Sequence, residues 1–177
     1  MLSRLSFALV MTVPLVAGGH QERPPDEYQV KAAFLYNFAK FVEWPVEVFE
    51  NPAEHLMICV LGEDPFGRAI DDVVSGKKIE GHALTIQRIS DAHKARGCRM
   101  LFVSSSEPKS VLSVLGALNE SAILTVGESD SPTASGMIIN FILEGGKIRF
   151  SINTAAAERE KLRFSSRLLS LAILVKN

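Results

Sequence analysis

The stretch 137–153, with the sequence MIINFILEGGKIRFSIN, contains the clearest structural signal in this chain. Over residues 147–153 apolar side chains alternate with polar ones, which is the pattern of a strand with one buried and one solvated face. The pair Gly145-Gly146 separates this run from an apolar run over 137–143, and glycine tolerates the positive φ angles that a tight turn needs. The stretch therefore predicts a β-hairpin.

Upstream of the hairpin, strand-like and helix-like segments alternate. An amphipathic helix is predicted from an N-cap at Asp26 to a stop before Pro45, with Lys31, Lys40 and Glu43 on its solvent side. Further runs predict strands over 56–62, 82–89, 100–104 and 122–126, and helices over 65–74, 108–118 and 155–175. The predicted fold class is α/β: a single domain with a mixed sheet flanked by helices, and with a C-terminal β-hairpin and helix.

The first nineteen residues have the three parts of a secretory signal peptide. Arg4 supplies a positive charge, an apolar run follows over 7–17, and Gly18-Gly19 forms a small-residue exit. The run is too short to span a bilayer, and a buried N-terminal helix is the alternative interpretation. We expect cleavage of residues 1–19, a polar spacer over 20–25 and an exported, periplasmic domain over 26–177.

The charge balance of the exported chain is slightly acidic. Removal of the signal peptide lowers the count of Lys and Arg from 19 to 18, against 20 Asp and Glu, so the net charge is −2. This balance gives no electrostatic reason to bind nucleic acid or an anionic membrane surface. No second apolar stretch reaches transmembrane length, so we expect a domain that does not span the membrane.

The chain has two cysteines, Cys59 and Cys98. In an oxidising compartment an even number of cysteines is most simply explained by one disulfide. Two alternatives stay open: a bridge that also reports redox state, and a reactive thiol at Cys98, because Arg96 and Arg99 would favour its thiolate.

Motifs for catalysis or metal binding are incomplete. The loop 62–69 has the glycine spacing of a phosphate-binding loop, but Arg68 and Ala69 replace the lysine and the hydroxyl residue. The four histidines lack ligand spacing, and no Gly-x-Ser-x-Gly elbow surrounds the serines at 104–106. We expect no catalytic residue, no metal site and no cofactor, and a non-enzymatic role.

Two places are candidates for contact with a partner. Trp44 is the only tryptophan, it lies at a helix end before Pro45, and tryptophan is enriched at binding hot spots. The alternative is a partly buried plug at the end of the helix. Arg163, Phe164 and Arg167, on the last predicted helix, form the second candidate.

Several longer sequence segments indicate a protein family, which the periodic patterns do not. In chain order they are EYQVKAAFLYNFAKFVEWP (27–45), ICVLGEDPFG (58–67), CRMLFVS (98–104), ILTV (123–126), GMIINF (136–141), KIRFSIN (147–153) and LRFSSRLL (162–169). Together they resemble the YfiR family of bacterial periplasmic proteins. The resemblance covers nearly all of the exported chain.

The resemblance implies a periplasmic repressor that binds the sensory domain of an inner-membrane diguanylate cyclase, which keeps cyclic-di-GMP and biofilm output low. It also implies sequestration by an OmpA-type outer-membrane lipoprotein, and it places Cys59 and Cys98 at the disulfide positions of the family. Some members have a second cysteine pair in the C-terminal half, which this chain lacks. A small-molecule binding or sensing module serving another receptor or transport system is the alternative function, and a homodimer stays open.

Overall fold

The computed structural model describes residues 27–49, 51, 53–107, 116, 118, 121–129 and 136–176, which contain four α-helices, one large sheet and one two-stranded ribbon. The helices are α1 (Glu27–Phe41), α2 (Arg68–Val74), α3 (Thr154–Arg159) and α4 (Ser166–Leu169). The strands are β1 (Val42–Glu43), β2 (Leu56–Leu61), β3 (Lys78–Ile79), β4 (His82–Ile89), β5 (Met100–Val103), β6 (Leu124–Glu128), β7 (Ile139–Glu144), β8 (Lys147–Asn153), β9 (Arg163–Phe164) and β10 (Ile173–Val175). The predicted signal peptide, the spacer and most of the predicted helix over 108–118 lie outside the described residues.

The large sheet is mixed, as predicted. Its strand order is β10-β8-β7-β6-β5-β2-β4-β3, and the neighbours from β4 to β7 are parallel. β7 and β8 form the predicted antiparallel hairpin, in which Phe141 pairs with Phe150. Gly145 and Gly146 have φ angles of +57° and +73°, so the turn uses the left-handed backbone that glycine permits. The predicted α/β class and the hairpin are therefore confirmed.

Both faces of the central strands are buried. In β2, Ile58 and Val60 belong to the main core, whereas Cys59 and Leu61 face a second, smaller core on the opposite side of the sheet. Helix α1 covers the main core, where the ring of Phe38 lies 4.9 Å from that of Phe150. A strand buried on both faces has to be apolar throughout, which explains the uninterrupted apolar run of β2.

The single helix predicted over 155–175 is wrong. The chain leaves α3 through Lys161, whose φ is +57°, then forms β9, the short helix α4 and finally β10. Ser165 starts α4, because its hydroxyl accepts a hydrogen bond from the Leu168 backbone N–H at 3.3 Å. β10 pairs in parallel with β8, so its backbone satisfies one edge of the sheet. This pairing outweighs the helical pattern of the segment, and Ile173 and Val175 are β-branched residues suited to a strand.

The described part of the chain contains no helix that is both long and apolar enough to cross a membrane.

Candidate functional site

A cleft of about 410 Å³ opens at the carboxyl end of the parallel strands; we call it the carboxyl-end cleft. Its polar lining comes from α1 and from the residues at the ends of β5 and β6: Glu27, Tyr28, Lys31, Ser105, Glu128 and Ser129. Its apolar lining comes from the β7–β8 hairpin: Phe141, Ile142, Leu143 and Ile148. Ligands of open α/β sheets bind at this edge, so the cleft is the first place to look for a site.

Lys31 is the central charged group of the cleft. Its Nζ lies 2.5 Å from Glu128 Oε2 and 2.5 Å from Glu27 Oε1, and 4.5 Å from the centroid of the Tyr28 ring. The Tyr28 hydroxyl also donates to Glu128 Oε1, at 3.3 Å. Lys31 is only 5% exposed, so its predicted place on the solvent side of α1 is wrong. The physical reason is that a buried ammonium is tolerated where carboxylates compensate for its lost hydration.

The protonation of these groups follows from their contacts. Burial alone lowers the pKa of Lys31, but the hydrogen bonds with Glu128 and Glu27 outweigh burial and raise the pKa above its ordinary value. Burial, together with the Glu128 carboxylate, raises the pKa of Tyr28. At neutral pH Lys31 is therefore an ammonium and Tyr28 is a neutral hydroxyl. A protonated lysine is not a nucleophile, so the network is suited to binding and to holding α1 against β6.

The predicted disulfide between Cys59 and Cys98 is confirmed. Cys59 lies within β2 and Cys98 precedes β5, with 5.9 Å between their Cα atoms. Both residues are fully buried in the second core, on the face of the sheet opposite α1. The bridge therefore ties two neighbouring central strands together and lies apart from the carboxyl-end cleft.

Trp44 lies just after β1 and is half-buried against the main core. Its indole N–H donates a hydrogen bond to the Arg99 carbonyl oxygen at 3.2 Å. The residue thus anchors the end of α1 and β1 to the residue ahead of β5. This geometry matches the alternative interpretation of a plug at the helix end, and a direct role in partner binding stays a prediction.

The structure brings the second candidate patch next to Trp44. Arg163 and Phe164 form β9, which pairs with β1 and thereby places Arg163 opposite Glu43. The side chain of Arg163 is 84% exposed, and its Nε lies 3.9 Å from the Glu43 carboxylate. Arg167 lies on α4 with its guanidinium 5.7 Å from the centroid of the Phe41 ring. We call Trp44, Arg163, Phe164 and Arg167 the ribbon face: Trp44 and Phe164 pack against the main core, and Arg163 and Arg167 are its exposed members. The grouping depends on the β1–β9 pairing, for which the sequence contains no local signal.

A groove of about 200 Å³ adjoins the ribbon face. Arg167 lies at this groove, and the other residues that line it are mostly apolar: Phe34, Asn37, Phe41, Phe150, Leu168 and Leu171. Leu171 is 69% exposed, and it adds apolar surface to the groove. The groove therefore extends the ribbon face with apolar surface.

The loop that imitates a phosphate-binding motif is braced by its own side chains. Asp64 accepts a hydrogen bond from the Phe66 backbone N–H at 2.8 Å and forms an ion pair with Arg88 at 2.7 Å. Arg88 also pairs with Asp71 of α2 at 2.6 Å, and this hydrogen bond lowers the pKa of the Asp71 carboxyl. The two carboxylates surround the single arginine, so the loop is a structural turn ahead of α2.

Sequence reasoning missed the most developed polar site of the fold. The helical pattern predicts Lys31 on the solvent side and does not link it to Glu128, because the two residues are 97 apart in sequence. The one available signal is that Lys31 sits between Val30 and Ala32 in an otherwise apolar stretch of α1. Within the described residues, no three His, Cys, Asp or Glu side chains lie close enough together to hold a metal ion.

Comparison with known proteins gives a family match and matches to the folds of solved structures. A family described as YfiR/HmsC-like matches residues 28–173, from the first turn of α1 to the start of β10. No curated protein matches the chain. Among solved structures, the chain is similar to a conserved domain protein from Vibrio cholerae O1 biovar El Tor, with a TM-score of 0.51 and 14% sequence identity.

That fold match covers 82% of this chain and 60% of the Vibrio chain, so this chain spans less than two thirds of it. At 14% identity the likeness shows the fold alone. The family match includes α1, the central strands, the hairpin and most of the C-terminal segment. The chain therefore belongs to the YfiR/HmsC-like family.

Proposed function

We propose that this protein is a non-enzymatic periplasmic regulator that represses an inner-membrane diguanylate cyclase by binding its sensory domain, and so lowers cyclic-di-GMP and biofilm output. The observation that carries the proposal is membership of the YfiR/HmsC-like family across residues 28–173. Repression of this kind needs no chemistry. It requires only that the protein bind one state of the cyclase more tightly than the other.

The disulfide supports a periplasmic location. Disulfides persist in oxidising compartments such as the bacterial periplasm and are rare in the reducing cytosol. Both cysteines of the Cys59–Cys98 bridge are fully buried, so the bridge is shielded from solvent. The predicted signal peptide over 1–19 would deliver the chain to that compartment.

The ribbon face is the surface that we assign to the cyclase sensory domain. It combines an exposed arginine at Arg163, a second arginine at Arg167 and the apolar groove with the exposed Leu171. Arginines and aromatic residues around an apolar centre are the usual composition of binding hot spots. Arg163 lies near one carboxylate, Glu43, and Arg167 adds a second positive charge, so the surface favours a partner whose rim is acidic.

An OmpA-type outer-membrane lipoprotein is the second partner that we propose. Sequestration by such a lipoprotein would compete with the cyclase and relieve repression by mass action. A homodimer of the exported chain stays a prediction, which light scattering on the purified protein tests.

The decisive experiment measures cyclic-di-GMP in the source bacterium after deletion of this gene and after complementation. The full chain should restore low cyclic-di-GMP, and a chain without residues 1–19 should not. Arg163→Ala combined with Arg167→Ala should weaken repression, whereas the matched control Lys78→Ala with Lys94→Ala, which removes two exposed lysines elsewhere, should not. Unchanged cyclic-di-GMP on deletion under several growth conditions would refute the repressor role.

A second measurement tests the proposed binding surface independently of the repressor role. Binding of the purified exported chain to the purified sensory domain of the cyclase should be lost in the arginine double variant and kept in the lysine control. If deletion raises cyclic-di-GMP but the arginine variant binds normally, the repressor role stands and the ribbon face is the wrong surface.

A further inference from the structure

We propose that the carboxyl-end cleft is a binding site for a small organic cation, specifically a primary amine with a hydrocarbon body. The proposal concerns a different surface from the ribbon face and does not depend on the cyclase. It rests on the size of the cleft, on the sign of its charge and on the apolar wall that the β7–β8 hairpin supplies.

The size and place of the cleft fit a small molecule. Its volume of about 410 Å³ is in the range of ligand pockets, roughly 300–1,000 Å³. It lies between a helix, two strand ends and a hairpin, so several elements would contact one ligand. Ser105 and Ser129, at the strand ends, add neutral polar groups.

The sign of the cleft is negative. Among the described residues, the charged lining consists of two carboxylates, Glu27 and Glu128, and one ammonium, Lys31, so these three groups leave one negative charge over. The first turn of α1 also lies here, but a helix N-terminus is equivalent to only about half a positive charge. The helix therefore reduces the surplus without reversing it, and the cleft should attract cations and repel anions.

The carboxylates keep acceptor capacity for an incoming ammonium. Glu128 binds Lys31 through Oε2, and its Oε1 has a long contact of 3.3 Å with the Tyr28 hydroxyl. An ionised carboxylate offers about four acceptor positions. Glu27 is 41% exposed in its side chain and can reach a ligand from the open side of the cleft. Lys31 contacts Glu27 through Oε1 and Glu128 through Oε2, so an incoming ammonium would bind beside Lys31, on the open side of the cleft, and make charge-assisted hydrogen bonds with the other carboxylate oxygens.

The β7–β8 hairpin gives the cleft an apolar wall that is partly uncovered. Phe141 is buried at its base, Ile148 is half-buried, and Leu143 is 60% exposed at its rim. A ligand with a hydrocarbon body would cover Leu143, and an inorganic cation would not. This wall is the reason for assigning an organic amine to the site.

Binding of benzylamine to the exported chain tests the proposal, with benzyl alcohol and benzoate as neutral and anionic probes of the same shape. Backbone amide NMR shifts at neutral pH should move around Glu128, Phe141 and Leu143 with benzylamine, more weakly with the alcohol and not with benzoate. Affinity for benzylamine should fall as salt is added, because the attraction is electrostatic. Benzoate binding as tightly as benzylamine, or shifts confined to other parts of the protein, would overturn the proposal.

Variants separate the two walls. Glu128→Gln should weaken benzylamine binding about tenfold or more, since it removes a charged acceptor. Because this change also disturbs Lys31, Glu27→Gln serves as the milder variant and should weaken binding several-fold while the fold is kept. Leu143→Ala should weaken binding a few-fold, whereas Leu174→Ala, at another exposed leucine, should not. Equal binding by Glu27→Gln, Leu143→Ala and the unmodified chain would refute the site.

Discussion

Removal of the Cys59–Cys98 disulfide should cost about 4 kcal/mol of unfolding free energy. The two cysteines are 39 residues apart in sequence. In the chain-entropy account, closing a loop of this length removes about 13 cal/mol/K from the unfolded state, which is about 4 kcal/mol at 25 °C. Since small domains have a total stability of about 5–15 kcal/mol, the loss is a large part of the whole.

Urea unfolding of the exported chain, followed by Trp44 fluorescence, measures the contribution of the disulfide to the unfolding free energy. The half-buried indole is the only tryptophan, so its emission should report the main core. We expect the oxidised protein to be about 4 kcal/mol more stable than the same protein in reductant. Reduction keeps both sulfurs in place, so the comparison does not include a packing defect.

The double variant Cys59→Ala with Cys98→Ala is the matched control. It should have the low stability of the reduced protein or slightly less, because two buried sulfurs are missing, and reductant should not change it. A difference below about 1 kcal/mol between the oxidised and reduced protein would refute the entropic reasoning. Detection of two free thiols in the unfolded, non-reduced protein would refute the bridge itself.

Three further predictions concern polar contacts. Lys31→Met should lower the unfolding free energy by about 2–4 kcal/mol, because it leaves a buried carboxylate without its partner. Lys40→Met, on the exposed side of the same helix, should change it by no more than about 0.5 kcal/mol, and thermal unfolding measures both changes. Trp44→Phe should cost about 1 kcal/mol in urea unfolding followed by circular dichroism, since it removes one hydrogen bond and the carbonyl that accepted it still accepts another N–H. For Asp71, whose folded pKa is lowered by Arg88, the ion pair stabilises the fold above the unfolded pKa and is lost as pH falls. The advantage of the unmodified chain over Asp71→Asn should thus be below about 1 kcal/mol near neutral pH, because the pair is exposed, and should vanish in acid; an advantage that grows in acid would contradict the assignment.

Elements with a local pattern were predictable. The β7–β8 hairpin follows from period-two alternation and a glycine pair, both of which lie within seventeen residues. Helix α1 follows from apolar spacing and from Pro45, and the strand β2 follows from an apolar run that both cores require. In each case the residues that decide the conformation are near neighbours in sequence.

The C-terminal segment shows where local pattern is insufficient. Its leucines have helical spacing, but only the short helices α3 and α4 form there, and residues 173–175 form a strand. The deciding interaction is the free edge of β8, whose backbone groups need partners that β10 supplies. The sequence of the segment alone does not show that β8 has an unpaired edge, so it does not predict the strand β10.

The sequence by itself determined the hairpin, the first helix, the disulfide pairing and the family, because these depend on nearby residues or on strings that persist in order. Only the tertiary structure decided the burial of Lys31, the carboxyl-end cleft and the assembly of the ribbon face. The fate of Lys31 depends on Glu128, 97 residues away, which the parallel sheet brings to within 2.5 Å. Charges that look solvated along a helix become a buried site when the fold supplies opposite charge, and that supply is a property of topology rather than of local sequence.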